Sequence, residues 1–141
     1  LGIECSQYKK ENNLNLLFEL AEFIAKYYEG IRREAKEEII ANDVSETLVT
    51  KILMGVLGCC PAYDSYFRSG LSIEKVGTQR FNKKSILELV NFYEDNSEKL
   101  EDARKNMEVE GLPYPQMKML DMGFWKIGFD ADSKKGFKKS H

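Results

Sequence analysis

Lys51-Ile52-Leu53-Met54-Gly55-Val56-Leu57-Gly58-Cys59-Cys60-Pro61-Ala62-Tyr63-Asp64-Ser65-Tyr66-Phe67 carries an apolar helical run into a tight Gly/Cys/Pro connection and then into a second helix start. Upstream, Val44, Leu48, Val49, Ile52, Leu53, Val56 and Leu57 recur three and four residues apart and define one face of a helix. Asp43-Val44-Ser45-Glu46 places an N-cap residue three positions before a glutamate, the pattern in which two side chains satisfy orphan helix amides reciprocally. The helix is therefore predicted to start at Asp43 and to stop at Gly58, which enters a left-handed turn without steric cost. Pro61, with its preset φ and no amide to lose, suits the first turn of a following helix that runs to about Ser69, with Gly70 as its stop.

Working outward, residues 14–40 carry the longest helical pattern. Leu14, Leu17, Phe18, Ala21, Ile24, Ala25, Tyr28, Ile31, Ala35 and Ile39 form one stripe, and Leu16, Leu20, Phe23 and Tyr27 widen it. Only a narrow polar ridge remains, so this helix is expected at the centre of the fold, in contact with neighbours over most of its circumference. Asn42-Asp43 reads as its stop. On the C-terminal side, residues 71–81 read as a loop. Asn82 reads as the N-cap of a helix with Ile86, Leu89, Val90 and Tyr93 on one face, and the charged stretch Glu94 to Glu110 reads as a surface helix. Gly111-Leu112-Pro113-Tyr114-Pro115 is the strongest break. Gln116 to Ile127 then forms a short helix ended by Gly128, with Met117, Leu120, Phe124 and Ile127 inward and Trp125 docked on the central helix. The expectation is an all-α fold: one compact domain of about six helices over residues 1–129, followed by a flexible basic tail, 130–141.

Composition removes several function classes. Twenty-one basic and 23 acidic residues give a net charge of −2, so no global field draws the chain to nucleic acid or to an anionic membrane. No apolar run approaches the roughly 18 residues of a membrane span, which with the absence of a signal-like start points to a cytoplasmic protein without a membrane partner. The chain opens on Leu1 and not Met, which leaves room for a preceding segment. Cys5, Cys59 and Cys60 form neither an even disulfide set nor a zinc array, and they read as buried thiols in a reducing compartment. His141 is the only histidine, which excludes Ser-His-Asp, Cys-His and His-ligated metal chemistry within the domain. No cofactor and no metal site is expected.

Four features are candidates for function. Asp64 follows the Pro61 start and sits among Tyr63, Tyr66 and Phe67; a carboxylate in apolar surroundings acquires a raised pKa and can act as a general base, whereas an acid at a helix start is accounted for more simply by the exposed amides and dipole there. The basic strip Arg68, Lys75, Arg80, Lys83 and Lys84, opposed only by Glu74, stands next to Tyr63, Tyr66, Phe67 and Phe81; cations of this kind track a phosphate backbone and aromatics stack bases, while a solubilising surface loop has the same composition. Glu88, Glu94, Asp95, Glu98, Glu101, Asp102, Glu108 and Glu110 outnumber Lys99, Arg104 and Lys105, without calcium-loop spacing, and read as a solvated helix face; the opposite charge of the adjacent strip leaves self-association open. Met117, Met119 and Met122 cannot all face inward on one helix, so at least one is expected at the surface.

Thr50-Lys51, the apolar helix, the short turn and Pro61-Ala62-Tyr63-Asp64 with its aromatic resemble the catalytic segment of helix-hairpin-helix DNA glycosylases over residues 50–67. In that family a Pro-x-Asp element follows such a helix and its aspartate assists N-glycosidic bond cleavage, while a lysine, where present, forms a Schiff base. The resemblance implies Asp64 in the first role and Lys51 in the second. Two residues here separate Pro61 from Asp64, and no Gly-x-Gly hairpin precedes Thr50. The residues together favour a non-enzymatic binding or interaction domain, with residues 63–84 as a nucleic-acid contact. The alternative is a nucleic-acid- or nucleotide-processing enzyme with Asp64 as its acid/base.

Overall fold

The computed structural model describes residues 4–35 and 44–139. They form an all-α single domain: a short 3-10 helix, Cys5–Lys9, and six α-helices, α1 (Glu11–Ala35), α2 (Glu46–Leu57), α3 (Ser65–Glu74), α4 (Lys83–Asp95), α5 (Ser97–Asn106) and α6 (Gln116–Lys139). The one β feature among the described residues is an isolated bridge between Val109 and Leu112, closed by Glu110 and Gly111 at positive φ. None of these helices is long and apolar enough to cross a membrane.

Local signals place the end of α2 and the starts of α4 and α6. Gly58 takes φ 61° and returns its amide to the Met54 carbonyl, ending α2 as expected. Asn82 accepts the Ser85 amide at 2.8 Å and starts α4. The start of α2 falls later than expected: Ser45 is the N-cap and accepts the Leu48 amide at 3.1 Å, while Asn42-Asp43 and the end of the long apolar stripe, Ile39 included, lie outside the described residues. Pro61 belongs to no helix. The chain from Gly58 to Tyr63 is a buried, non-helical connection, and Asp64 is itself the N-cap of α3.

The centre of the fold is not where the apolar count puts it. The most extensive helix contact is between α3 and α6. Two glycines read as stops make it possible: a Cβ on Gly70 would lie 1.9 Å from the Phe124 carbonyl oxygen, and one on Gly128 would lie 1.9 Å from that of Tyr66. The backbones touch there, α3 continues to Glu74, and α6 continues to Lys139, through most of the segment expected as a tail; residues 140–141 lie outside the described residues. Phe67, Leu71, Leu120 and Phe124 fill this contact, with Ile86, Leu89 and Val90 of α4 and Leu53 of α2 around it. Met117 and Met119 are both buried and Met122 half-buried, because α6 is covered on more than one side.

Helix α1 is peripheral. Leu14, Leu17 and Ala21 are buried, and Phe18 stacks on Phe81 with ring centroids 4.7 Å apart, but no residue of α1 after Ala21 is fully buried among those described. Trp125 packs edge-on to Tyr66 at 5.3 Å and stacks on Phe129 at 5.0 Å, not on α1. The 3-10 helix supplies a tie that periodicity does not announce: the Tyr8 hydroxyl donates to the Cys59 carbonyl at 2.5 Å, and the Cys5 amide donates to Gln116 Oε1 at 2.7 Å.

Candidate functional site

Lys51 and Asp64 line one cleft. It holds about 500 Å³ between α2, the 58–64 connection and α6, and Met54, Ala62, Lys118, Asp121, Met122, Trp125 and Lys126 complete its wall. Apart from Lys51, the charged groups of the cleft are already engaged. Asp64 Oδ1 accepts the Phe67 amide at 2.9 Å as the cap of α3. Asp121 Oδ1 accepts the Ala62 amide at 2.9 Å, and Oδ2 accepts from Lys118 Nζ at 3.3 Å. Lys126 Nζ reaches Asp130 at 2.6 Å. Lys51 is exposed and has no carboxylate partner among the described residues.

Asp121 was not singled out by the sequence reading, yet it is the buried acid of this cleft. Burial pushes its carboxyl above the usual range, against the opposing pull of the Ala62 amide and the Lys118 ammonium, and the nearby Asp64 charge adds to the rise. Its bond to Ala62 fastens the irregular 58–64 connection to α6, since that amide has no helical partner. The signal for it was positional. Asp121 follows Met117 by four residues and precedes Phe124 by three, so it shares their inward face. An acid on a buried stripe must find a donor.

The basic strip keeps Lys75, Arg80, Lys83 and Lys84 at the surface, holds Arg68 half-buried, and loses Tyr63, Phe67 and Phe81 as stacking partners. Tyr63 is fully buried, its hydroxyl paired with Ser85 Oγ at 2.7 Å and its amide bonded to Thr50 Oγ1 at 2.9 Å, so it presents no ring face to a base. Burial pushes the Tyr63 phenol upward, with the Ser85 hydrogen bond opposing. Phe67 is buried in the core and Phe81 is stacked on Phe18. Tyr66 is half-buried against Trp125 and Phe129. With Arg68, Gln79, Asp132 and Lys135 it lines a second, broader hollow of about 860 Å³. Arg68 is held by Glu46 at 2.5 Å, and the same carboxylate accepts the Phe81 amide at 2.8 Å and lies 3.9 Å from Arg80. Lys83 Nζ donates to Asn15 at 2.5 Å, Lys84 is 3.9 Å from Glu88, and Lys75, Arg80, Lys83 and Lys84 are all exposed.

The acidic segment contains one built network. Glu101 accepts from the Tyr93 hydroxyl at 2.7 Å, from Gln116 at 2.9 Å and from Arg104 Nη1 at 3.0 Å, and Arg104 Nε donates to the Tyr114 carbonyl at 2.6 Å. Burial works to raise the Glu101 carboxyl, but the bonds from Tyr93, Gln116 and Arg104 outweigh it and hold the group below its ordinary range. This is a clamp joining α4, α5 and α6. All three cysteines are free and buried, and burial pushes the Cys5 thiol up to about 12 and Cys60 well above its usual value, so both stay protonated. Among the described residues no group of three or more His, Cys, Asp or Glu is placed to hold a metal.

Helix α1 carries an exposed apolar stripe. Phe23, Tyr27, Leu16 and Ile31 are 65%, 59%, 46% and 41% exposed, with Leu20 half-buried between them. The Phe23 and Tyr27 rings lie 6.5 Å apart and nearly parallel. The second apolar stripe is thus real, but Leu16, Phe23 and Tyr27 face away from the core, while Leu20 packs partly against it. Comparison with protein-family models, curated proteins and solved structures finds no match to the chain.

Proposed function

We propose that the chain is a binding domain and not an enzyme, and that its principal contact is a helical protein partner laid along the exposed face of α1. The observation that carries this reading is the run Leu16, Leu20, Phe23, Tyr27 on one side of a helix whose other side is anchored by Leu14, Leu17 and Ala21. Isolated exposed apolar residues need no explanation, whereas a contiguous stripe with two aromatics is the signature of a protein contact. The steps of four, three and four residues are those of a coiled-coil seam, which selects a helix as the partner. A catalytic role for Asp64 draws less support, because the Phe67 amide occupies its Oδ1 and the neighbouring Asp121 is committed to Ala62 and Lys118. Three buried free thiols suit a reducing, cytoplasmic setting.

The test is a photo-crosslinking phenylalanine analogue in place of Phe23, irradiated in cells that express the chain. A discrete adduct is expected, and it should vanish when Leu16→Glu and Tyr27→Glu are added. No adduct at all, with other molecules or with further copies, would sink the reading.

A second reading is favoured by the exposure of Lys75, Arg80, Lys83 and Lys84 on the connection from α3 to α4. Lys83 and Lys84 open α4, where the helix dipole adds to their positive charge and draws anions. Nucleic acid held there would be gripped by its phosphates. Its affinity should fall steeply from low to moderate salt and drop further with Lys83→Glu and Lys84→Glu; no binding of single-stranded DNA or RNA even at low salt removes it.

A further inference from the structure

We infer that the helix seated on α1 is the α1 of a second copy of this chain, running antiparallel; this rests on α1 being an interaction face and names its occupant. The seam residues occupy heptad positions a (Leu20, Tyr27) and d (Leu16, Phe23). In an antiparallel pair whose two-fold axis passes between Ala21 and Glu22, Leu16 meets Tyr27 of the second copy and Leu20 meets its Phe23, and by symmetry each contact occurs twice. Four layers form, every one apolar on both sides.

The charges flanking the seam select this arrangement. Glu19 and Lys26 hold the g positions, and both are exposed. In the same register, Glu19 faces Lys26 of the other copy and Lys26 faces its Glu19, so the flank is complementary by the same symmetry that pairs the core. Lys26 already lies 2.7 Å from Glu22, so Glu19 of the second copy joins an existing pair. A parallel pair fails on charge: g residues would face e residues, and here the e positions are Leu17, Ile24 and Ile31.

The size of the contact sets the strength. At about 200 Å² for a whole aromatic side chain, the exposed parts of Phe23 and Tyr27 would remove roughly 250 Å² of surface per copy. Leu16, Leu20 and the charged flank bring the total for two copies near the roughly 1,000 Å² where specific interfaces begin. The dimer is therefore a reversible one, set by concentration.

The test is sedimentation equilibrium of the purified chain from about 1 to 500 µM, a span chosen for a dissociation constant in the micromolar range. Reversible dimerisation is expected. Phe23→Glu should abolish it while leaving the far-ultraviolet circular dichroism unchanged. Glu19→Lys and Lys26→Glu should each weaken it about tenfold or more, because like charges then face each other. Mixing these two variants should restore association, since one then carries lysine at both g positions and the other glutamate at both, and the two flanks attract; only the antiparallel register predicts that rescue. A wild-type chain that stays monomeric throughout overturns the inference, as does a dimer indifferent to Phe23→Glu or a mixture that fails to associate. The interaction reading fails separately: crosslinks from position 23 to a different protein, with a monomeric purified chain, keep that reading and discard the second copy.

Discussion

Asp64 holds a structural post that its surroundings in the sequence disguise. Its carboxylate takes the Phe67 amide at the start of α3, while its flank opens on the cleft shared with Lys51 and Asp121. The two roles respond differently to substitution. Asp64→Ala removes the cap and should cost about 1 kcal/mol in a urea titration, whereas Asp64→Asn, which keeps an acceptor, should cost only a few tenths. Equal losses from both would mean that charge, not the hydrogen bond, is what α3 uses there. Asp121 makes a sharper prediction with pH. Burial raises its folded-state pKa above its unfolded value, so its favourable contribution is complete below the unfolded pKa and is lost as pH rises through the folded one. Asp121→Asn mimics the protonated form. Relative to wild type it should therefore gain stability as pH rises from the unfolded carboxylate range through the folded one. A wild-type-minus-variant difference that is flat across that range would show that Ala62 and Lys118 fully offset the burial.

At the scale of elements, glycine and proline carried the ambiguity. Gly58 and Asn82 carry local signals, a positive φ and a side-chain acceptor, so the end of α2 and the start of α4 were legible, although a Cβ on Gly58 would also lie 2.6 Å from Pro115 Cγ. Gly70 and Gly128 act across space. Each is missing a side chain because another backbone lies where the Cβ would stand, and a single sequence does not distinguish that from a helix stop. Gly70→Ala and Gly128→Ala should each destabilise by about 1–3 kcal/mol or more, since the obstruction is a carbonyl and not a flexible side chain. The alanine's higher helix propensity, worth about 1 kcal/mol, works in the opposite direction. A net gain in thermal stability for either variant would mean that α3 and α6 stand further apart than this packing. The same distinction explains the candidate site. Asp64 was legible as an acid at a helix start, though not as the cap itself, because its bond is local, while Asp121, Glu46 and Glu101 do their work on partners 59, 22 and 15 residues away.

Across the whole molecule, apolar content and burial part company on α1. Two stripes cover most of its circumference, which makes a central position the expectation; among the described residues only one stripe is anchored in the core, and of the other only Leu20 packs partly against it. Solvent exposure of the other gives two classes of substitution on a single helix. Leu17 is wholly buried, and Leu17→Ala should cost about 2–5 kcal/mol through lost transfer energy and the cavity left behind. Phe23→Ser and Tyr27→Ser remove larger side chains but few contacts within the fold. At dilution, where copies are apart, they should change stability by no more than about 0.5 kcal/mol each, apart from their small differences in helix propensity. Urea titrations at low and high protein concentration separate the two terms. If α1 is an interaction face, wild type should gain stability with concentration and the serine variants should not, because only a folded partner binds. A large loss from Phe23→Ser at dilution would instead make that face part of the fold's own core and remove the ground for any partner on α1.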